Sequence, residues 1–565
     1  MPIGRYARDV NRATVSAVVL ALSTAIAFVP ACGSDAPERP APAGPVRPPL
    51  RPSPEQEQAA AALLAGPDWY RHAVFYEVNV RSFQDSNGDG IGDLDGLVSR
   101  LGYLKDIGID ALWLMPIMPS PFADSGYDVT DYRGIDPAYG TMADFERLLA
   151  ETSARGMRVF MDLVLNHTSI EHPWFQESRK DRTNPKATWY VWSDTDGRPD
   201  IGCGTHSAIF GESPWTFEPA RKQYYFHRFY PEQPDLNYRE PAVAQEMLDT
   251  AAFWLTKGVA GFRCDVAGLL FETKEVCSLA PETVEYIRSL RKVVDGFPDR
   301  ATVAEPAELT NSTPYFGNGR DMFHMAFDFA YGYFWGVAFA AGDRKIIEEA
   351  MSTASRYPEG AQDALVIGSH DVLRAWQSAG TDPARYRGAA LLQMTMRGTP
   401  FIYYGEEVAL RPGTAIRVDT RDSARTPMTW TRDAAGHGFT TGTPWIPFGE
   451  APSDTSVEAE DADPESMLSF YRSLLAFRRG HPVWATGTSR LLELDDPGLL
   501  AFVRENDEES YLVAVNLASE PREGSAADPL PAVGRVVLGE GTMAVANGNV
   551  TVKLGANGHA VFQIR

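Results

Sequence analysis

The stretch Arg158–His167, RVFMDLVLNH, is a short apolar run that ends in polar side chains. An apolar run of this length is typical of a buried β-strand. Segments of helical pattern, such as Met142–Gly156 and Pro241–Gly258, separate it from further runs of the same kind. Those seven further runs begin at Ala73, Ala111, Gly261, Ala301, Met325, Ala364 and Thr399. Eight strands that alternate with helices predict a (β/α)8 TIM barrel.

One gap between strands is too long for a simple crossover and predicts an inserted subdomain after the third strand, at residues 168–240. The insertion is rich in Trp, Pro, Asp and Gly. Residues 485–565 contain short runs with a period of two, separated by Gly and Asn turns, which indicates a C-terminal antiparallel β domain of the β-sandwich kind. The barrel is therefore expected in two parts, residues 68–167 and 241–484.

The composition narrows the classes of partner. The chain has 565 residues, is 44% hydrophobic, and carries a formal net charge of −23 with a pI of about 4.9. A phosphate backbone binds to clustered Lys and Arg, and no basic run occurs, so nucleic acid is not expected as a partner. A neutral ligand such as a sugar suits this acidic surface, and nothing indicates a protein partner.

The N-terminus has the three-part form of a secretory signal, with three arginines before the apolar residues 13–29. The tetrapeptide VPAC ends at Cys32 and resembles a bacterial lipobox, which predicts a lipoprotein-type signal peptide at residues 1–32 and a lipid on Cys32. Ordinary cleavage near Ala31 is the alternative. Residues 33–65 are Pro-rich in their larger part and predict an extended tether. We therefore expect an exported lipoprotein, anchored to a membrane and located in the periplasm or on the cell surface.

The cysteines after Cys32 are too few for a disulfide scaffold. Only Cys203, Cys264 and Cys277 remain, which allows at most one bridge, and Cys203 with Cys277 is the candidate pair. Cys264 lies within a strand-like run and is interpreted as a buried apolar residue. No CxxC or HExxH motif occurs, so the sequence does not support a zinc site.

The loop Asp85–Asp93, DSNGDGIGD, resembles half of an EF-hand. An EF-hand places oxygen ligands at alternate positions and a bidentate Glu at position 12, which is Gly96 here. A strand-like run, not a helix, precedes the loop. We expect a structural Ca²⁺ or Mg²⁺ in the loop, with a plain acidic turn as the alternative. The expected ligands are Asp85, Asn87, Asp89, Ile91 and Asp93.

Barrel enzymes carry their chemistry at the C-terminal ends of the strands. The residues at those positions are Asp162, Asn166, His167, Arg263, Asp265, Glu305, His370 and Asp371. Packing like charges on one rim costs free energy and raises pKa values, so such a cluster indicates a functional site. Paired carboxylates are typical of glycoside cleavage, in which one acts as general acid and the other as nucleophile.

Five ordered motifs resemble the signature regions of the α-amylase family of glycoside hydrolases, family thirteen. They are DLVLNH from Asp162, QPDLNY from Gln233, GFRCD from Gly261, AE from Ala304 and GSHD from Gly368. The resemblance extends over roughly residues 68–565. RDSARTPMTW from Arg421 and GFTTGTPW from Gly438 are similar to the branch that contains α-glucosidases, oligo-1,6-glucosidases and trehalose synthases. In this branch the loop after the first strand binds a structural Ca²⁺ or Mg²⁺ away from the chemistry.

The resemblance implies a role for each motif residue and no organic cofactor. Asp265 is implied as the nucleophile, Glu305 as the acid/base and Asp371 as the residue that steadies the transition state. Arg263, on the same strand face as Asp265, is expected to hold that carboxylate ionised. Five residues are implied to bind the sugar, by stacking, by hydrogen bonds to hydroxyls or at the nonreducing end: Tyr127, Asp128, His167, His370 and Arg374.

The finer activity stays open between three functions. Gly268 and Leu269 stand where endo-acting amylases often have Lys-His, and Ser369 stands where many relatives have Asn. The favoured function is hydrolysis of α-glucans or malto-oligosaccharides by an α-glucosidase or amylase. An intramolecular transglycosylase that resembles trehalose synthase is the second, and a noncatalytic glucan-binding lipoprotein is the third. The preference for α-1,4 or α-1,6 bonds is open as well.

Overall fold

The computed structural model describes residues 52–198, 200–201, 209, 213–271, 273–274, 276–433, 435–528, 530 and 534–565. The first eleven strands are β1 (Phe75–Val78), β2 (Ala111–Leu114), β3 (Arg158–Val164), β4 (Trp192–Ser193), β5 (Trp215–Glu218), β6 (Gln223–Phe226), β7 (Gly261–Asp265), β8 (Ala301–Ala304), β9 (Met325–Phe327), β10 (Gln362–Leu365) and β11 (Thr399–Tyr403). Eight of them close a parallel barrel in the order β1-β11-β10-β9-β8-β7-β3-β2. This confirms the predicted TIM barrel, and each predicted run supplies one strand.

Large aromatic side chains fill the interior of the barrel. The ring of Phe75 on β1 stacks on that of Phe401 on β11, with 4.3 Å between centroids. The rings of Trp113 on β2 and Phe327 on β9 lie 5.4 Å apart. Because side chains occupy the interior, the barrel is a packed core, and room for a ligand is left at its ends.

The helices cover the outside of the barrel and begin and end at residues that suit these positions. The helix that begins at Met142 has a capping box between Thr141 and Asp144. The helix that begins at Pro241 ends at Gly258, whose positive φ of 109° suits glycine. The helices span Pro54–Leu64, Trp69–His72, Leu94–Ser99, Leu101–Ile107, Met142–Ala154, Pro173–Ser178, Pro241–Lys257, Pro281–Asp295, Phe329–Ala341, Lys345–Ala354, Ala375–Ser378, Pro383–Thr395, Val457–Asp461, Met467–Gly480 and Val483–Thr486. Short 3-10 helices span Val80–Ser82, Thr313–Phe316, Glu406–Val408 and Thr420–Ala424.

The insertion after β3 contains a small antiparallel sheet in the order β4-β6-β5. An isolated bridge from His167 to Asp235 joins the two ends of the insertion, and a second bridge, from Tyr190 to Leu236, joins its last part to its interior. The first bridge brings the end of the insertion back to the residues that follow β3. The insertion therefore lies beside the C-terminal end of the barrel.

Two antiparallel sheets form the C-terminal domain. Its strands are β12 (Thr488–Leu491), β13 (Leu499–Glu505), β14 (Ser510–Asn516), β15 (Arg522–Ala527), β16 (Arg535–Gly539), β17 (Thr542–Ala546), β18 (Asn549–Leu554) and β19 (His559–Gln563). One sheet has the order β12-β13-β14-β19-β16 and the other β15-β18-β17. Apolar residues such as Leu499, Val552 and Phe562 form one buried cluster. The buried Arg504 donates to the carbonyl oxygens of Thr395 and Val483 and so ties this domain to the barrel helices.

The predicted tether needs a correction in its last part. Residues Pro54–Leu64 form a helix, which begins at Ser53 with a capping box to Gln56. The Gln56 side chain donates to the carbonyl oxygen of Gly480 at 3.0 Å. The carbonyl oxygen of Leu64 accepts from Arg158 at 3.2 Å. The prolines that suggested an extended chain lie mostly before Ser53, and Glu, Gln, Ala and Leu, which favour helices, follow it.

Several predicted features lie outside the described residues, namely the signal peptide, its Cys32 and Cys203. Cys277 is disulfide-bonded. Cys264, in β7, is a free and buried thiol, as predicted. Among the residues with a described structure, none belongs to a helix long and apolar enough to cross a membrane.

Candidate active site

One guanidinium joins the carboxylates at the C-terminal end of the barrel. Arg263 Nη1 lies 2.5 Å from Asp265 Oδ1 and 2.8 Å from Asp162 Oδ1. Its Nη2 lies 2.8 Å from Glu305 Oε2. The ladder between β3 and β7 pairs Asp162 directly with Arg263, and Glu305 follows β8, the next strand in the barrel. The register of three neighbouring strands therefore sets this cluster.

Burial controls the protonation of the two central carboxyl groups. It raises the pKa of Asp265 to about 7, against the pull of Arg263. It also raises the pKa of Glu305 to about 7, again against Arg263. The prediction that Arg263 holds Asp265 ionised needs a correction, because burial raises the pKa of Asp265 more than the guanidinium lowers it. The two carboxyl groups share a proton near neutral pH, and a nucleophile paired with a general acid requires that state.

The pKa of Asp371 is shifted in the opposite direction from those of Asp265 and Glu305. His370 Nε2 lies 3.1 Å from Asp371 Oδ2, and Arg421 Nη1 lies 3.0 Å from Asp371 Oδ1. Although burial raises the pKa of Asp371, His370, Arg421 and Arg425 lower it well below the ordinary value. Asp371 is therefore ionised at neutral pH, next to two carboxyl groups whose pKa values burial raises.

Tyr127 packs within the cluster. Its ring stacks on His370, with 5.4 Å between centroids and 11° between planes. Its hydroxyl donates to Asp162 Oδ2 at 3.0 Å and lies 2.8 Å from His370 Nε2. Stacking of Tyr127 on a sugar ring stays a prediction, and in the structure one neighbour of its ring is His370. Tyr127 therefore connects Asp162 with His370.

Asp124 and Arg421 are residues of the site that were not among the predicted site residues. Arg421 Nη2 lies 2.5 Å from Asp124 Oδ1 and 2.5 Å from Asp419 Oδ2. Gln233 Nε2 donates to Asp124 Oδ2 at 3.1 Å. The signal for Arg421 was present, since it opens the quoted motif RDSARTPMTW. Asp124 precedes Tyr127 by three positions, and no pattern distinguishes it from Asp128.

The structure does not bring Asp128 and Arg374 to the carboxylates. Asp128 is fully buried and accepts from the hydroxyl of Ser120 at 2.8 Å and the backbone N–H of Asp124 at 3.0 Å. Arg374 donates to the carbonyl oxygen of Tyr404 at 2.9 Å. Both side chains therefore hold loops in place, since these hydrogen bonds join them to the protein's own loops. Their predicted contact with the end of a sugar chain has no support in this geometry.

His167 lies on the insertion side of the site. Its Nε2 is 3.1 Å from Gln233 Nε2, and its ring lies 5.3 Å from that of Phe229. Burial lowers the pKa of His167 to about 3, so the ring is neutral. A neutral imidazole next to Gln233 and Asp124 suits recognition of hydroxyl groups, which both donate and accept.

The Asp85–Asp93 loop folds around its own side chains. Asp85 accepts from the N–H groups of Asn87 at 2.9 Å and Gly90 at 2.9 Å. Asp89 accepts from Ile91 at 2.8 Å, and Asp93 caps the helix that follows. The donor set of alternate oxygens fits a hard cation. In the described part of the chain no three His, Cys, Asp or Glu side chains form a group that could hold a metal.

Comparison with known proteins gives the family. The alpha-amylase catalytic domain family matches residues 77–487. The chain is 39% identical over 515 residues to "Trehalose synthase/amylase TreS" of Mycobacterium tuberculosis (strain CDC 1551 / Oshkosh), covering 82% of this chain and 84% of the relative. It is 37% identical over 520 residues to "Probable alpha-glucosidase" of Rhizobium meliloti (strain 1021), covering 82% and 92%.

A solved structure agrees with the sequence relatives. The crystal structure of an alpha-glucosyl transfer enzyme, XgtA, matches with a TM-score of 0.78 and 33% identity, over 88% of this chain and 99% of that one. The family match, the relatives and the cluster around Arg263 agree with one another. The chain belongs to the α-amylase family and is an enzyme that acts on α-glucosidic bonds.

Proposed function

We propose that the protein is a retaining hydrolase of malto-oligosaccharides, of the α-glucosidase or α-amylase type. The observation that carries this proposal is the position of Arg263 between Asp265 and Glu305. It holds a nucleophile and an acid on one guanidinium, with a single proton between them near neutral pH. Retention of configuration requires two carboxyl groups about 5 to 5.5 Å apart, and the ion pairs of both groups with Arg263 support such a close placement.

In this proposal Asp265 attacks the anomeric carbon while Glu305 gives its proton to the departing glycosidic oxygen. The C–O bond to the leaving group breaks as the bond to Asp265 forms. Glu305, now ionised, takes a proton from water, and the water oxygen displaces Asp265 from the same face that the leaving group left. Asp371 stays charged and stabilises the positive charge that develops on the sugar ring. The product keeps the α configuration.

Ion pairs at one end of the site support cleavage at the end of an oligosaccharide. Arg421 joins Asp124, Asp371 and Asp419, and the Tyr230 hydroxyl donates to Asp419 Oδ2 at 2.6 Å. Tyr230 belongs to the insertion, so these contacts tie it to the 3-10 helix at residues 420–424. These contacts would close one end of the site, and a site closed at one end favours a terminal sugar over an internal one. We therefore favour short oligosaccharides as substrates.

A second candidate, interconversion of maltose and trehalose, is favoured by the sequence relatives. The relative from Mycobacterium tuberculosis, named a trehalose synthase/amylase, shares 39% identity with this chain. In that reaction the glycosyl-enzyme on Asp265 would pass to the released glucose and not to water. The catalytic residues are the same, so the difference lies in how long the site retains the first product and excludes water. The noncatalytic alternative is set aside, because the chain is an enzyme by family.

One product assay separates the two candidates. The protein is incubated with maltose, maltotriose, isomaltose and soluble starch, and the products are resolved by chromatography. Glucose and shorter malto-oligosaccharides support hydrolysis. Trehalose from maltose supports the second candidate. No product from any of the four, with a folded protein, would overturn both.

We also propose a structural Ca²⁺ or Mg²⁺ in the Asp85–Asp93 loop. The alternate oxygen donors support it, and the loop would use Asp85, Asn87, Asp89, Ile91 and Asp93. The ion would brace the loop next to the helix that begins at Leu94. It takes no part in the proposed reaction.

For location, we propose export and a lipid anchor on Cys32, supported by the signal-like sequence before it. The anchor would hold the enzyme on a membrane in the periplasm or at the cell surface. Cell fractionation of the full-length protein and of Cys32→Ala tests it. Membrane association that is lost in the variant supports the anchor, and equal fractions for both proteins would contradict it.

A further inference from the structure

Glu77 lies on β1 and has no role in the reaction described above. Its side chain is buried, and its Oε1 lies 2.6 Å from His370 Nδ1. The other ring nitrogen of His370, Nε2, lies 3.1 Å from Asp371 Oδ2. One buried imidazole therefore bridges two carboxylates, of which only Asp371 faces the reaction.

This geometry restricts the protonation of His370. A neutral imidazole has one N–H and one lone pair, so one of the two carboxylates would face a lone pair. A doubly protonated ring donates to both. The Tyr127 hydroxyl fits the same arrangement, because it accepts from Nε2 at 2.8 Å and donates to Asp162 Oδ2 at 3.0 Å.

We propose that Glu77 is a positioning residue that keeps His370 as an imidazolium and thereby holds Asp371 ionised and oriented for the reaction. The inference rests on the proposed function for its kinetic consequence only. The electrostatics support it: although burial lowers the pKa of His370, Asp371 and Glu77 raise it to about 9. Without the charge of Glu77 the ring loses one of its two anionic partners.

Other charged and titratable groups also lie near His370. They are Tyr127 from the loop after β2, Asp162 from β3, Arg263 from β7, and Arg421 and Arg425 from the segment after residue 419. Arg425 Nε donates to the carbonyl oxygen of His370 at 3.1 Å, and a nearby guanidinium disfavours an imidazolium. Asp162 reaches the ring through Tyr127. Glu77 is thus the carboxylate besides Asp371 that contacts a ring nitrogen of His370.

The test is Glu77→Gln, which keeps the size and a hydrogen-bonding oxygen but removes the charge. ¹⁵N NMR of the imidazoles, with His370 assigned by a His370→Asn variant, follows the ring in both proteins. In the unmodified protein both ring nitrogens should be protonated at pH 7.5. In Glu77→Gln the pKa of His370 should fall by at least about one unit. An unchanged pKa of His370, or a neutral ring in the unmodified protein at pH 7.5, would overturn the proposal.

Kinetics with 4-nitrophenyl α-glucoside give a second readout, because this good leaving group does not need the proton of Glu305. In Glu77→Gln, kcat relative to that of the unmodified protein should fall by about tenfold per unit of pH above the lowered pKa of His370 and recover below that pKa, where His370 regains its proton. A uniform loss at every pH would indicate a structural defect and overturn the positioning role.

Glu407→Gln is the matched control. Glu407 is also buried and accepts from the hydroxyls of Tyr76 and Tyr103, each at 2.8 Å, and not from His370. Its variant should keep the pKa of His370 and the shape of the pH profile. If the unmodified protein converts no α-glucoside, the proposed function fails, while the imidazole titration still decides the state of His370.

Discussion

The backbone N–H of Val266 donates to Glu305 Oε2 at 2.8 Å, and Val266 has a φ of 35°. A β-branched residue in this region is strained, and Val266 directly follows Asp265. In this strained conformation, the backbone N–H of Val266 points at the acid/base Glu305. This contact favours the ionised form of Glu305, which the second half of the proposed reaction uses as a base.

Val266→Gly should retain this contact, because glycine adopts positive φ readily. Relief of roughly 1–3 kcal/mol of strain should offset the lost side chain, so the free energy of unfolding should change by less than about 1 kcal/mol. Val303→Gly, in the buried strand β8, is the comparison and should destabilise more. Chemical denaturation measures both. An equal loss of stability in both variants would contradict strain at Val266.

Asp265→Asn should abolish turnover of every substrate, because no nucleophile remains to form the glycosyl-enzyme. Glu305→Gln should lower kcat on malto-oligosaccharides by about 10²–10⁴-fold and on 4-nitrophenyl α-glucoside much less in the first step. Proton NMR before mutarotation should show the α-anomer as the first product. A β-anomer, or an active Asp265→Asn protein, would reject these roles.

The pH dependence follows from the raised pKa of Glu305. Activity on natural substrates should fall as pH rises above about 7, since Glu305 then loses the proton it must donate. The free energy of unfolding should also fall as pH rises. A carboxyl group with a raised folded pKa binds protons more tightly in the folded state, so its contribution is full below the unfolded pKa and is lost as pH rises through about 7.

Glu305→Gln tests the stability part of this argument. The uncharged amide is insensitive to pH, so the melting temperature of the variant relative to the unmodified protein should rise between pH 5 and pH 8. Differential scanning calorimetry at several pH values measures the difference. A difference that stays constant over this range would show that Glu305 titrates with an ordinary pKa.

Asp124→Asn and Asp128→Asn form a matched pair. Asp124 contacts Arg421 and Gln233 at the site, so its variant should lower kcat/KM by about 10²-fold while the melting temperature stays nearly the same. Burial raises the pKa of Asp128 to about 6, and its variant should mainly lower stability through lost loop hydrogen bonds. The opposite pattern would restore Asp128 as the substrate ligand.

Two truncations test the docked helix Pro54–Leu64. A chain that begins at Pro52 should keep the stability of the longer protein. One that begins at Gly66 loses the contacts of Gln56 and Leu64 and should melt a few °C lower, at roughly 1–2 kcal/mol, with kcat unchanged. Equal melting temperatures would show that the helix does not stabilise the barrel.

Chelation tests the Asp85–Asp93 loop. Removal of a bound cation should lower the melting temperature, since binding at a hundredfold excess over Kd adds about 2.7 kcal/mol to the folded state. Turnover at low temperature should persist, and adding Ca²⁺ or Mg²⁺ should restore the melting temperature. Loss of turnover without a thermal shift would be inconsistent with a structural ion.

The sequence by itself determined the barrel and the carboxylates at its rim. Local sequence patterns predict both the barrel and its rim residues. A buried parallel strand is a short apolar run, and the last residues of each such strand lie at the same end of the barrel. Asp265 and Glu305 follow such runs directly, so their convergence with Asp371 could be predicted from strand order alone. The insertion was visible as an over-long gap between two strands, and the C-terminal domain was visible as a change to a period of two.

Only the tertiary structure decided which loop residues face the site. Asp124 and Asp128 lie four positions apart in one irregular loop, and the path of that loop directs the first to Arg421 and the second inward. Arg421 contacts Asp124 across 297 positions of sequence, and Glu77 contacts His370 across 293. The contacts of the helix Pro54–Leu64 with Gly480 and Arg158 were decided in the same way. Such contacts depend on the whole fold, and no local period encodes them.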